Sequence, residues 1–147
     1  MVTREEALKD WLAALRSKNY YQANGSLRDH DGYCCLGLFC EVVRTRVDGV
    51  WSNSQDSAGN SYFLMPNSPA HLSALPFFLQ DLLGFESDIG VFEITDDLLA
   101  KFPRLQESKD RHQSCLSSLT SLNDKFGWSF EEIADLIEAR PKGLFKA

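Results

Sequence analysis

The sequence has no apolar run near the roughly 18 residues a membrane span needs, so no membrane partner is expected. Positive charge is in deficit. Fifteen Lys and Arg face 21 Asp and Glu, a formal net charge of −6, which opposes the phosphate neutralisation behind most nucleic-acid affinity. Duplex nucleic acid is therefore not an expected partner, although a local cluster of donors can still hold a small anion. Histidine is scarce, at three residues, and there is no Cys-x-x-Cys pair. The nearest approach to a ligand set, Cys35, Cys40, His112 and Cys115, lacks the spacing of structural zinc, so neither a metal nor a cofactor is expected.

Also missing are a repeat, a low-complexity linker and an apolar block behind the N-terminal "MVTREEALKDWL". We accordingly expect no export signal, a cytoplasmic protein and four reduced thiols rather than a disulfide framework. At 147 residues, with 44% hydrophobic and 12% aromatic composition, the chain reads as a single domain, 1–147, with a core of its own.

What is present is a series of helix signals. Thr3 with Glu6 makes a capping box ahead of Leu8, Trp11, Leu12 and Leu15, which predicts an amphipathic helix over residues 4–16. From residue 33 to 44 apolar side chains cover nearly the whole circumference, so this helix should be central and buried, with Gly37 marking a close approach of another backbone. "LPFFLQDLLG" predicts a short helix stopped by Gly84, and Thr95 should cap another that ends before Pro103. "RLQESKDRHQSC" reads as a polar loop, followed by a helix through Cys115, Leu116, Leu119, Leu122 and Phe126. Ser129 and Glu132 form a second capping box before a helix that buries Phe130, Ile133, Leu136 and Ile137.

Two hairpins are expected as well. Asn24-Gly25 is a two-residue turn signal between short segments, and residues 49–51 and 61–64 read as a second pair with a mobile tip over 53–60. Residues 91–94 read as one more strand. The expected fold is α+β: four or five helices around the 33–44 helix, with one or two small β-hairpins.

Four readings of the chemistry arise. Cys34 and Cys35 stand at a helix start, where unpaired amides and the helix dipole lower a thiol pKa. "YCCLGLFCEV" resembles the nucleophile segment of papain-like cell-wall endopeptidases, with Cys35, Gly37 and Leu38 in matching places, and this implies a cysteine hydrolase. Such an enzyme needs a histidine base on a downstream strand, and neither His71 nor His112 has that context. The alternative is that the cysteines are small hydrophobes of the core. "LTSLNDKFGWSFEEIADLIEARP" resembles the first two helices of a helix-turn-helix domain, a reading the acidic balance opposes.

The fourth reading is a binding site. Tyr20, Tyr21, Gln22, Ser26, Arg28 and His30 gather aromatic faces, an amide and a fixed positive charge, the groups that stack on a ring and hold a phosphate or carboxylate. Asn123 and Asp124 add a polar pair, and Cys34 is expected at the edge of the pocket. The ligand-binding set is therefore Tyr20, Tyr21, Gln22, Arg28, Cys34, Asn123 and Asp124, with no catalytic residue assigned.

Taken together, "YYQANGSLR", "YCCLGLFCEV" and "LNDKFGWSFEEIADLIEARPKGLF" resemble a family of small uncharacterised proteins of tailed bacteriophages, prophages and bacterial genomes. That family's pattern runs Gln, Leu-Arg, Tyr-Cys-Cys-Leu-Gly and a later Cys, then Leu-Asn-Asp, Ser-Phe and Ile-Ala-Asp. Gln22, Leu27, Arg28, Tyr33, Cys34, Cys35, Gly37, Cys40, Asn123 and Asp124 take its places, and the match fades over residues 45–113. The resemblance implies a phage or prophage accessory protein, and because small acidic proteins of that kind are often anti-defence factors, an anti-defence role in the host cytosol is expected. The expected function is sequestration of a nucleotide-like immune signal; the alternative is an inhibitor that binds a host defence protein through the variable 45–113 region. A homo-oligomer is left open.

Overall fold

The computed structural model describes residues 2–52 and 56–147. They form an α+β domain with seven α-helices and two antiparallel two-stranded sheets among the described residues. The first helix, α1 (Arg4–Arg16), has the full Thr3/Glu6 capping box and buries Ala7, Trp11 and Leu15. Its Arg4 reaches across to the end of α3 (Phe77–Leu83), donating to the Asp81 and Leu82 carbonyls at 3.0 and 3.2 Å. A cation is thereby placed on the negative end of that helix, which Gly84 closes with φ of 74°.

The central helix is α2 (Cys35–Val43), in which Cys35, Leu36, Gly37, Leu38, Phe39, Cys40 and Val43 are all buried. Each large apolar side chain so buried contributes about 1.5–3 kcal/mol. Trp11 packs against Phe39 and donates its indole N–H to the Cys35 carbonyl at 2.9 Å, fixing α1 on α2. Gly37 is the close approach its position implied: a Cβ there would lie 1.7 Å from the Leu27 carbonyl oxygen. A 3₁₀ turn, Arg44–Val47, follows α2, and Asp48 ends it in the left-handed region.

Strands β1 (Val50–Trp51) and β2 (Phe63–Leu64) pair as the expected second hairpin, with Trp51 opposite Phe63. Part of its tip, residues 53–55, lies outside the described residues. The remainder is held by the Asp56 carboxylate, which accepts from the Ala58 and Asn60 amides and the Asn60 side chain. The first expected hairpin does not form a ladder. Residues 20–33 instead make single bridges, Gln22 to Tyr33, Arg28 to Tyr33 and Arg28 to Ser61, because the Leu27 backbone carbonyl is taken by the Cys34 amide at the start of α2.

The helix count exceeds the four or five expected because residues 95–126 divide more finely. After β3 (Val91–Glu93), α4 (Asp96–Lys101) starts at the Thr95 cap. The polar stretch expected as a loop is α5 (Leu105–His112), which buries only Leu105 and Ser108. Glu107 in its first turn, Lys109, Arg111 and His112 in its last, and a Gln106–Asp110 side-chain bond of 2.7 Å supply local support that an apolar-pattern reading does not register. Next, Leu116–Ser118 is a strand, β4, paired with β3. The helix begins only at α6 (Leu119–Asp124), where Ser118 caps it. The last helix, α7 (Phe130–Glu138), has the expected capping box and buried face. No described helix is long and apolar enough to cross a membrane.

Candidate functional site

The start of α2 is fully committed to structure. The Gly37 amide donates to Cys34 Sγ at 3.3 Å, so Cys34 is the N-cap residue, and the Cys35 amide donates to Asn123 Oδ1 at 3.2 Å. Cys34, expected at a pocket edge, is buried because its sulfur points back onto the helix it caps. Burial pushes its thiol up to about 12, and raises Cys35 and Cys40 well above the ordinary thiol value. Cys35 donates its S–H toward the Leu119 carbonyl at 3.7 Å. These are the reverse of the conditions that generate a thiolate nucleophile. Cys115 alone of the four is exposed.

Gln22, Asn123 and Asp124 do come together, as an internal latch. Gln22 Nε2 donates to Asn123 Oδ1 at 2.7 Å and to the Trp128 carbonyl at 2.8 Å. Asn123 Nδ2 donates to the Ala23 carbonyl and to Asp124 Oδ1, both at 2.8 Å. One buried amide thus ties the 20–33 segment, the start of α2 and α6 together. Such a network is stabilising only when complete, and here no buried side-chain polar atom of the described residues lacks a partner.

A different arrangement surrounds Arg28. Its guanidinium lies 5.4 Å from the Trp51 ring centroid and 5.6 Å from that of Tyr33, and among the described residues Arg28 alone faces two rings at once. Tyr20 meets Tyr33 edge-on at 6.0 Å, and Trp51 in turn meets Phe63 at 4.9 Å. No carboxylate among the described residues pairs with Arg28. By contrast, Arg104, also over a tryptophan, is bonded to Glu132 and to the Phe126 carbonyl. A planar cation over aromatic faces, with its N–H fork unclaimed, suits a phosphate or carboxylate beside a stacked ring.

Glu41 organises this cluster from α2. Its Oε1 accepts from Trp51 Nε1 at 3.0 Å and from Arg44 Nε at 2.9 Å. Burial raises the Tyr33 hydroxyl pKa, with Glu41 adding to the shift and Arg28 opposing it. Of the residues expected to bind, the structure therefore joins Tyr20 and Arg28. Tyr21 is 81% exposed and makes no ring contact among the described residues, because its backbone carbonyl is pinned by the Tyr33 amide. Tyr33, Trp51 and Glu41 escaped the residue-by-residue reading. Glu41 was legible in principle, as the one carboxylate inside an otherwise apolar helix, a position that asks for partners.

A second feature lies elsewhere. A groove of about 730 Å³ is lined largely by apolar side chains, among them Val47, Met65, Phe77, Phe78 and Leu82, with Arg46, Asp48 and His71 also on its walls. Phe77 and Phe78 are 71% and 56% exposed. Apart from Val2, the lining of this groove belongs to the variable 45–113 region, and it does not include Arg28.

No curated protein and no solved structure matches the chain. A family model does match, over residues 4–141, which takes in both the latch and the Arg28 cluster; the chain belongs to the family described as the domain of unknown function DUF8296.

Proposed function

We propose that this protein is a non-catalytic binding protein that sequesters a small nucleotide-like anion at the Arg28 cluster. The observation that carries the reading is the Arg28 guanidinium set over Tyr33 and Trp51 with no carboxylate partner among the described residues. Stacking of a base on an aromatic face and a charge-assisted bond from Arg28 are the two interactions these side chains offer. The buried, protonated thiols offer no nucleophile. The resemblance to tailed-phage and prophage proteins supplies the setting: an accessory, anti-defence factor of the host cytosol that withdraws an immune signal.

Calorimetric titration with cyclic nucleotides and ADP-ribose derivatives tests this. Binding of at least one at micromolar concentration, lost in Arg28→Ala, is the expected result. Silence across the panel would turn the account to a second reading, an inhibitor of a host protein, which the exposed Phe77 and Phe78 beside the apolar groove favour. Pull-down from infected cells, compared between the wild type and Phe78→Ser, examines that reading.

A further inference from the structure

We infer that the Arg28 site is selective for an aromatic base carrying a single phosphate group and discriminates against di- and triphosphates. This rests on the binding function proposed above and narrows its ligand class. The cations around the cluster are few. Arg44 also lies near Tyr33, but its Nε is bonded to Glu41, and the His30 imidazole, two residues beyond Arg28 in sequence, sits 3.4 Å from Asp31. Arg28 is left as the guanidinium of the cluster with no carboxylate partner among the described residues.

The elements that build the cluster also carry several acids. Asp29 and Asp31 belong to the segment that carries Arg28, and the Asp29 carboxylate accepts from the Asp31 and Gly32 amides. Glu41 accepts from the Trp51 indole N–H, and Asp56 belongs to the loop that Ser61 joins to Arg28. Backbone donors that often cradle a polyphosphate are spent as well: at the start of α2 the Cys35 and Gly37 amides go to Asn123 and Cys34. One planar guanidinium takes one phosphate through two parallel bonds. A second or third phosphate would add negative charge to elements that already carry Asp29, Asp31, Glu41 and Asp56, and beside Arg28 the described residues of the cluster offer only Arg44, itself bonded to Glu41, a charge balance of the kind that specificity commonly exploits.

The test is a calorimetric series at fixed salt, without magnesium: adenosine, 5′-AMP, 3′,5′-cyclic AMP, ADP and ATP, and the same series in guanine. The expected order places a monophosphate or cyclic monophosphate at least tenfold tighter than the matching triphosphate, and at least tenfold tighter than the bare nucleoside. Arg28→Lys, which keeps the charge and loses the planar fork, should weaken the monophosphate at least tenfold while leaving the nucleoside unchanged. A triphosphate bound as tightly as the monophosphate, or tighter, overturns the selectivity and leaves the binding function standing. A nucleoside bound as tightly as its monophosphate overturns the role of Arg28 as the phosphate contact. Absence of binding by every member, together with cyclic dinucleotides and ADP-ribose, overturns both.

Discussion

The two ends of the 20–33 segment are built on opposite principles. At Gln22 and Ala23, side-chain and backbone polar groups are closed into the Asn123 latch, with every partner within about 3 Å. At Arg28, a few residues on, a guanidinium with five N–H donors is held, among the described residues, by ring faces. A latch that is complete makes the segment rigid. A cation left open on that rigid segment is pre-organised, so a ligand meets little ordering cost when it arrives. The difference separates the residues that set stability from those that set binding, and substitution tests the separation directly.

The largest effect belongs to the scaffold. Gly37→Ala drives a methyl to within 1.7 Å of the Leu27 carbonyl, so the segment that carries Arg28 must leave α2. We expect a loss of about 3 kcal/mol or more by thermal or denaturant unfolding, within the range for strain and overpacking in a core. Asn123→Ala comes next. It strands the Cys35 amide and the Ala23 carbonyl and leaves Gln22 with only its bond to the Trp128 carbonyl, and the cost per unsatisfied buried group of about 1–3 kcal/mol predicts a comparable or smaller loss. If Asn123→Ala melts like the wild type, the latch is not what orders the segment.

The cysteines give a sharper contrast. Cys40→Ser buries a hydroxyl among apolar neighbours and should cost about 1–3 kcal/mol. Cys34→Ser places a favoured N-cap residue where sulfur already caps α2, so its effect should be within about 1 kcal/mol of zero. Equal losses at the two positions would contradict the capping role. In native protein at neutral pH, iodoacetamide should label Cys115 and spare the other three.

The raised thiol pKa values also set a pH dependence. Below pH 9 the thiols are protonated in both states, and their contribution to stability is fully present. Above it the unfolded chain releases protons that the folded chain keeps, so stability falls as pH rises from 9 toward about 12, at about 1.4 kcal/mol per pH unit for each thiol involved. Denaturant midpoints across this window should move down, and should do so less in Cys40→Ala.

Arg28→Ala should also have only a small effect on stability. Losing a cation over two partly exposed rings costs about 0.5–2 kcal/mol. Ligand binding, by contrast, should be abolished. A variant that loses stability and keeps binding would invert the comparison.

Much of the scaffold was legible beforehand because its signals are local. The capping boxes at Thr3 and Ser129, the Gly84 stop and the apolar circumference of α2 each occupy a few adjacent residues, and each appears as expected. The helix Leu105–His112 was not legible, since its support is charge and side-chain bonding rather than an apolar stripe. The turn signal at Asn24-Gly25 misled because residues 21–23 bond to Tyr33 in a parallel bridge, while Leu27 and Arg28 give their backbone bonds to Cys34, Leu72 and Ser61 rather than to an antiparallel partner across the turn. At the candidate site, the single segment that supplies Tyr20 and Arg28 was readable. Trp51 was not, because it reaches Arg28 only through the folding of a strand onto that segment, and Glu41, although conspicuous as a carboxylate in an apolar helix, could not be tied to the site until Trp51 was placed against it.

The three tryptophans make the central claim directly measurable. Trp11 is buried and bonded to the Cys35 carbonyl, Trp128 lies under Arg104, and Trp51 lies under Arg28. Titrating 5′-AMP or 3′,5′-cyclic AMP into nitrogen-15-labelled protein, and following the three indole N–H resonances, should move the Trp51 signal in a saturable way. Trp11 should stay fixed, and Arg28→Ala should remove the shift. A Trp51 resonance that stays still while ligand binds, or one that moves equally in Arg28→Ala, would contradict the account.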